Sequence, residues 1–202
     1  MTYGEFKAFV MQLIDQYSAN GVELTKGYND QADFFARIPA AYNAVMLELA
    51  AGPCPILAVM DREALETAEQ PGYVEAQVPE DFLRMTGDGL PMVREGRMTR
   101  IKDYWMVGAD RVMIRKSLFD GAILEYCRRP ATLEADPASD TVLDGTAEML
   151  TAAAYYVAAL LVLREDAFLY AALRNEYDDR VTEMKKARRR AETFFVQDVY
   201  GP

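Results

Sequence analysis

Apolar residues recur every three or four positions at the start of the chain. Phe6, Phe9, Val10, Leu13, Ile14 and Tyr17 fall on one face of a helix predicted over Thr2 to Ser18. Thr2 followed by Glu5 fits a capping box, in which each side chain reaches a backbone N–H that the first turn leaves unpaired. A second helical pattern follows Gly21 and Gly27, with Asn29 or Asp30 as its cap and Ile38, Tyr42, Val45, Met46 and Leu49 facing the core. Proline lacks a donor and clashes with the preceding turn. Pro39 therefore predicts a short helix to about Arg37 and a longer one from Pro39 to Ala51, ended by Gly52, Pro53 and Pro55.

Near Ile56 the period changes. Short β-prone runs separated by Pro71-Gly72, Glu95-Gly96 and Asp120-Gly121 predict an antiparallel β region. Tyr104 to Val107, Arg111 to Lys116 and Ala122 to Cys127 are expected as successive strands, with Val112 and Ile114 on one face and Arg111 and Arg115 on the other. Pro130 and Pro137 close the segment. Helical spacing returns near Asp144 and Thr146, where Met149, Ala153, Tyr156, Val157, Leu160 and Leu161 leave a helix apolar nearly all round and so buried between others. Beyond Arg164 the stripe narrows to Leu169, Leu173, Tyr177, Val181 and Met184 on a helix that packs on one side only.

The expected fold class is mainly α with a β insertion: a helical bundle of about four to five helices interrupted by an antiparallel β region. It is expected as a single domain over residues 1–202, with a helical core from 1–52 and 144–192, a β insertion over about 55–135 and a C-terminal arm at 193–202. The apolar run Met149 to Leu163 is shorter than the roughly 20 residues of a membrane span, so no membrane contact is expected.

Composition sharpens this reading by exclusion. With 22 Lys plus Arg against 32 Asp plus Glu, the formal charge is -10, which disfavours a surface built to grip nucleic-acid phosphates. Histidine is absent, which removes the usual general base, the partner of Ser or Cys in triads and the commonest zinc ligand. There is no glycine-rich phosphate loop, nucleophile elbow or paired-cysteine motif, and no secretory signal is expected. Cys54 and Cys127 read as ordinary buried thiols over a disulfide or a reactive cysteine.

Glu80-Asp81 and Glu165-Asp166 read as surface or capping residues, because adjacent helical residues do not face each other. Trp105 reads as a core or sheet anchor over a ligand platform, and Gly87, Gly89, Pro91 and Gly96 as loop chemistry. The expectation is a protein that is not an enzyme and takes no cofactor or metal.

Charge is segregated along the chain. Met1 to Leu83 carries 4 basic and 13 acidic residues, Arg84 to Ala135 carries 10 and 7, and Asp136 to Pro202 carries 8 and 12. Different faces are therefore expected to meet different neighbours. Lys185, Lys186, Arg188, Arg189 and Arg190 follow the acidic Glu176, Asp178 and Asp179, either as a solvated helix end in accord with its dipole or as a docking surface. Phe194, Phe195, Val196, Val199 and Tyr200 then bunch in the tail, and so much apolar surface at a terminus calls for cover. Arg188, Arg189, Arg190, Phe194, Phe195, Val199 and Tyr200 are the candidate partner-binding residues.

Tyr28-Asn29-Asp30-Gln31-Ala32-Asp33 leading to Arg37-Ile38-Pro39, then Val78-Pro79-Glu80-Asp81-Phe82, form an ordered series of short motifs. Gly121 to Pro130, with Ile123 and Tyr126, continues it, followed by Ala154 to Ala159, Asp166 to Tyr170 and Asn175-Glu176-Tyr177. In this order they resemble the head-tail connector (portal adaptor, neck) proteins of tailed bacteriophages and prophages, over roughly Tyr3 to Met184. The resemblance implies a virion structural protein that forms a dodecameric ring below the portal and joins the DNA-filled capsid to the tail.

Its implied partners are the portal protein, other neck or tail-completion proteins and its own copies. DNA would pass through the bore without sequence-specific binding. The implied location is the virion neck, and the bacterial host cytoplasm during assembly; the state of the free chain stays open, monomer included. The unusually apolar and basic end and the Gly52-Pro53-Cys54-Pro55 connection depart from the family pattern. The alternative is a small regulatory or nucleic-acid-binding interaction protein, and after it a small carboxylate enzyme.

Overall fold

The computed structural model describes residues 1–16, 28–63, 65–87, 89–94 and 97–197. Among these, five helices and nine antiparallel strands in three sheets make a mixed α and β fold, not the mainly α helical bundle that periodicity predicts. The chain divides into two compact units: a helical unit, Met1–Cys54 with Pro130–Pro202, and a strand unit, Pro55–Arg129. The physical reason for the correction is that the strand unit buries an apolar core of its own, around Val74, Ala76, Leu90, Val112, Ile114 and Leu124.

In the helical unit, α1 (Tyr3–Gln16) starts on the expected capping box. The Thr2 backbone N–H donates to Glu5 Oε2 at 2.7 Å, and the Glu5 N–H donates to Thr2 Oγ1 at 3.3 Å. Phe6, Val10, Leu13 and Ile14 are buried; Tyr17 lies outside the described residues. α2 (Tyr28–Ala51) runs through Pro39 without the break expected there. Loss of one backbone hydrogen bond costs less than burial of Ile38, Tyr42, Val45, Met46 and Leu49 along the same face returns.

α4 (Ala147–Val162) is capped by Thr146, whose hydroxyl accepts from Met149 N at 3.2 Å, and packs against α1, α2 and α5 (Ala167–Gln197). Asp166 Oδ1 caps α5, accepting from Phe168 N at 3.0 Å and Leu169 N at 2.9 Å. Leu169, Leu173, Tyr177 and Val181 form the single buried stripe of α5. The helix continues past Thr193, where the sequence places an arm, to Gln197.

In the strand unit, β1 (Ile56–Val59), β9 (Glu125–Arg128) and β4 (Phe82–Met85) form one sheet in the order β1-β9-β4. β2 (Thr67–Gln70), β3 (Tyr73–Gln77), β8 (Arg111–Arg115) and β7 (Tyr104–Val107) form a second, in the order β2-β3-β8-β7. β5 (Leu90–Arg94) and β6 (Arg97–Ile101) make a two-stranded ribbon, and the short α3 (Lys116–Phe119) follows β8 directly. Val112 and Ile114 are buried while Arg111 and Arg115 are exposed, as the alternation requires. The strand expected over Ala122 to Cys127 forms instead at Glu125–Arg128, and Ala122 contributes only an isolated bridge to Met92.

Candidate interaction surfaces

The expected partner-binding residues lie at the end of α5. Arg188 is exposed, and with Lys185 it stands close enough to Cys54 to draw that thiol's pKa down; burial is the larger influence and holds it above the usual thiol value. Cys54 Sγ lies 3.3 Å from Met184 Sδ. Cys54 is thus only half-buried, against the expectation of a buried thiol, whereas Cys127 is buried; both are free. Arg189, Arg190, Phe194 and Phe195 lie on the backbone of α5, and their side chains are outside the described residues, as are Val199 and Tyr200 altogether.

Below this end, α5 is fastened by a stack of aromatic and charged groups. The Tyr156 and Tyr177 rings lie 4.6 Å apart, with the Arg174 guanidinium 4.2 Å from the Tyr156 centroid and 3.2 Å from Asp178. Tyr177 donates its hydroxyl to Glu48 Oε1 at 3.3 Å, and burial, with the Glu48 charge next, pushes its pKa up. A shallow groove of about 510 Å³ between α4 and α5 is lined by Glu148, Glu176, Asp179, Arg180 and Glu183 over Ala147, Thr151 and Met184. Among the described residues no group of His, Cys, Asp or Glu side chains is arranged to hold a metal ion.

The strand unit presents surface of a different kind. β1 and β7 are the two described strands that lie at a sheet edge and carry no charged side chain; β2 has Glu69, β4 has Arg84, and β5 and β6 have Arg94, Arg97 and Arg100. On β1, Leu57 is 52% and Val59 60% exposed, while Ala58 packs on the core. On β7, Trp105 is 45% exposed and Met106 and Val107 are each 39% exposed. Natural edges are usually guarded by charge, proline or a bulge, because an uncovered ladder is a template for another strand.

Trp105 does anchor a sheet face, edge-on to Tyr73 at 5.4 Å, but nearly half of it faces solvent. Neither edge stands out as a candidate surface in the sequence. The available signal was the run Tyr104-Trp105-Met106-Val107 without a charge; that it lies at an edge depends on the strand order. The β5–β6 ribbon adds exposed Arg97, Arg100 and Lys102 beside the apolar cross-strand pair Val93 and Met98.

No helix among the described residues is long and apolar enough to cross a membrane. No protein-family model and no curated protein matches the chain.

Proposed function

We propose that the chain is a head-tail connector subunit, a structural virion protein that joins copies of itself into a ring below a portal. The observation that carries the reading is the pair of uncharged, solvent-facing edge strands β1 and β7, the kind of surface that an assembly covers. The excess of acidic residues accords with a bore through which DNA slides, since each phosphate contact made by a basic side chain would add a barrier. The ordered series of short motifs in the sequence supports the same reading.

Arg188, Arg189, Arg190, Phe194, Phe195, Val199 and Tyr200 are proposed as the portal-facing residues. A chain lacking Thr193 to Pro202 is expected to lose capture by a portal protein from the same genome in a pull-down. Unchanged capture would remove the docking role of this segment.

A second reading is favoured by the basic β5–β6 ribbon, since two-stranded ribbons enter the DNA major groove. It predicts a DNA mobility shift that disappears at moderate salt and is abolished by Arg97→Ala with Lys102→Ala. The connector reading predicts no such shift.

A further inference from the structure

Two exposed surfaces of opposite charge, one in each unit, share an apolar centre. In the β5–β6 ribbon Val93 pairs across the strands with Met98, both are exposed, and alternation puts Arg100 on the same face. Arg97 at the tip and Lys102 at the base, beside Gly89, bracket this pair. Both are exposed, and neither has an ion-pair partner among the described residues. The register also sets Arg94 opposite Arg97, and like charges directly opposed destabilise a strand pair until an anionic surface lies against them.

The groove between α4 and α5 is the converse. Its floor is Ala147, Thr151 and Met184, and its rim carries the carboxylates of Glu148, Glu176, Asp179 and Glu183 against the single guanidinium of Arg180. Arg180 is held by Tyr155, to which it donates at 3.1 Å, and stands 3.9 Å from Glu176, while Lys186 lies 2.7 Å from Glu183. Glu148 and Asp179 are exposed and have no ion-pair partner among the described residues.

We propose that the β5–β6 ribbon of one copy seats in the α4–α5 groove of the next, with Val93 and Met98 on the floor and the ribbon's cations against the carboxylate rim. The inference deepens the connector reading and rests on its claim that copies join one another; no portal contact enters it. Exposed ion pairs add little by themselves, so burial of Val93 and Met98 supplies the affinity and the charges fix which surfaces meet. An apolar centre inside a charged rim is the anatomy of a protein interface. DNA would set the same apolar pair against phosphates and bring them beside a chain of formal charge -10, so a protein surface is the favoured occupant, and the chain itself carries the matching one. Ribbon and groove are different patches. The contact is therefore head-to-tail, each copy giving one and receiving the other, and it extends to a ring where the rotation closes.

Disulfide trapping between two differently marked chains reads this contact. Both full-length chains carry Cys54→Ser, which removes the half-buried thiol beside Met184, and one bears a tag so that mixed and like dimers separate. The first carries Met98→Cys in the ribbon and the second Thr151→Cys in the groove; they are mixed, oxidised mildly and run on a non-reducing gel. Val59→Cys, also in the strand unit and of similar exposure to Met98, replaces the ribbon chain as the control for chance encounter.

The expected result is a mixed dimer of Met98→Cys with Thr151→Cys at roughly ten times the control yield. Arg97→Glu with Lys102→Glu on the ribbon chain lowers it roughly tenfold, and so does Glu148→Lys with Asp179→Lys on the groove chain. All four positions are exposed, so these changes spare the fold, which circular dichroism checks. Both sets together lower the yield about tenfold and not a hundredfold, because the exchanged groups then attract. A yield no higher than the control, or losses that simply multiply, would overturn the proposal. A chain carrying both cysteines that links only within itself would overturn it as well. So would an absent link joined to a DNA mobility shift that the ribbon changes abolish, which would give the ribbon to nucleic acid. Portal capture is read separately on the same variants: capture kept without the link sinks this inference alone, and a link formed without capture sinks the portal part of the connector reading alone.

Discussion

The helical unit and the strand unit solve the same problem differently. In the first, α4 buries residues on nearly all sides, from Met149 to Val162, and its neighbours supply the cover. In the second, strands of four or five residues bury one face around Ile114 and Leu124 and leave two uncharged edges in solvent. A helix satisfies its interior backbone internally, whereas a strand pairs its backbone only with neighbours, so an edge strand leaves about half of it unpaired. The strand unit is therefore where the chain is least complete by itself, and where assembly has most to gain.

Removing a large buried side chain from the helical unit has the largest expected effect. Phe6→Ala leaves a cavity beside Tyr42, whose ring stands edge-on at 5.2 Å, and should cost about 3–5 kcal/mol. Trp105 is the only tryptophan and lies in the strand unit, so its emission reports that unit, while helical circular dichroism reports mainly the other. In urea, Phe6→Ala should lower the helical midpoint more than the Trp105 midpoint. Equal shifts would break the contrast between the units.

A smaller effect, in the opposite sense, is expected from Gly89→Ala. Gly89 has φ +91°, and a Cβ there would stand 2.6 Å from the Ile101 carbonyl oxygen, so the variant should cost about 1–3 kcal/mol. Trp105 emission should then move more than the helical signal.

pH separates the units further. Tyr126 donates to Asp81 Oδ1 at 2.8 Å, and burial, with that bond, raises its pKa from 10.0 to about 12. A raised folded value means the contribution is complete below 10 and is lost as pH climbs toward 12. Tyr126→Phe should flatten that alkaline loss in the strand unit.

The smallest expected effect lies in α1. The Thr2 backbone N–H lowers the pKa of Glu5 below its ordinary 4.5, so its contribution is present above that value and disappears as pH falls through the depressed one. Glu5→Gln keeps the cap and should remove only this part of the acid response, read by thermal melts across the acid range.

What the sequence made legible follows the same division. The capping box at Thr2 and Glu5, the all-round burial of α4 and the single stripe of α5 rest on local spacing and capping chemistry, which sequence carries directly. The break expected at Pro39 does not occur, because tertiary burial of Ile38 and Tyr42 outweighs a local backbone penalty. In the strand unit β7 stands where alternation places it, but β2 is exposed at every residue and has no apolar face to announce it. β3 does alternate, with Val74 and Ala76 buried, but runs of four or five residues are too short for period alone to set their bounds, and the size of the strand unit is not legible for that reason. The edges were illegible because an edge is a property of strand order, set by pairings such as β3 with β8 across more than thirty residues. Of the residues expected at the portal face, Arg188 is the one whose side-chain surroundings are described.

The most direct measurement is electron microscopy of the purified chain mixed with a portal protein of a tailed bacteriophage or prophage, taken from the genome that encodes the chain. The account predicts a ring of copies seated on one face of the portal, with neighbouring copies or the portal covering β1 and β7. A chain that stays unassociated at every ratio, with both edge strands still open to solvent, would contradict it.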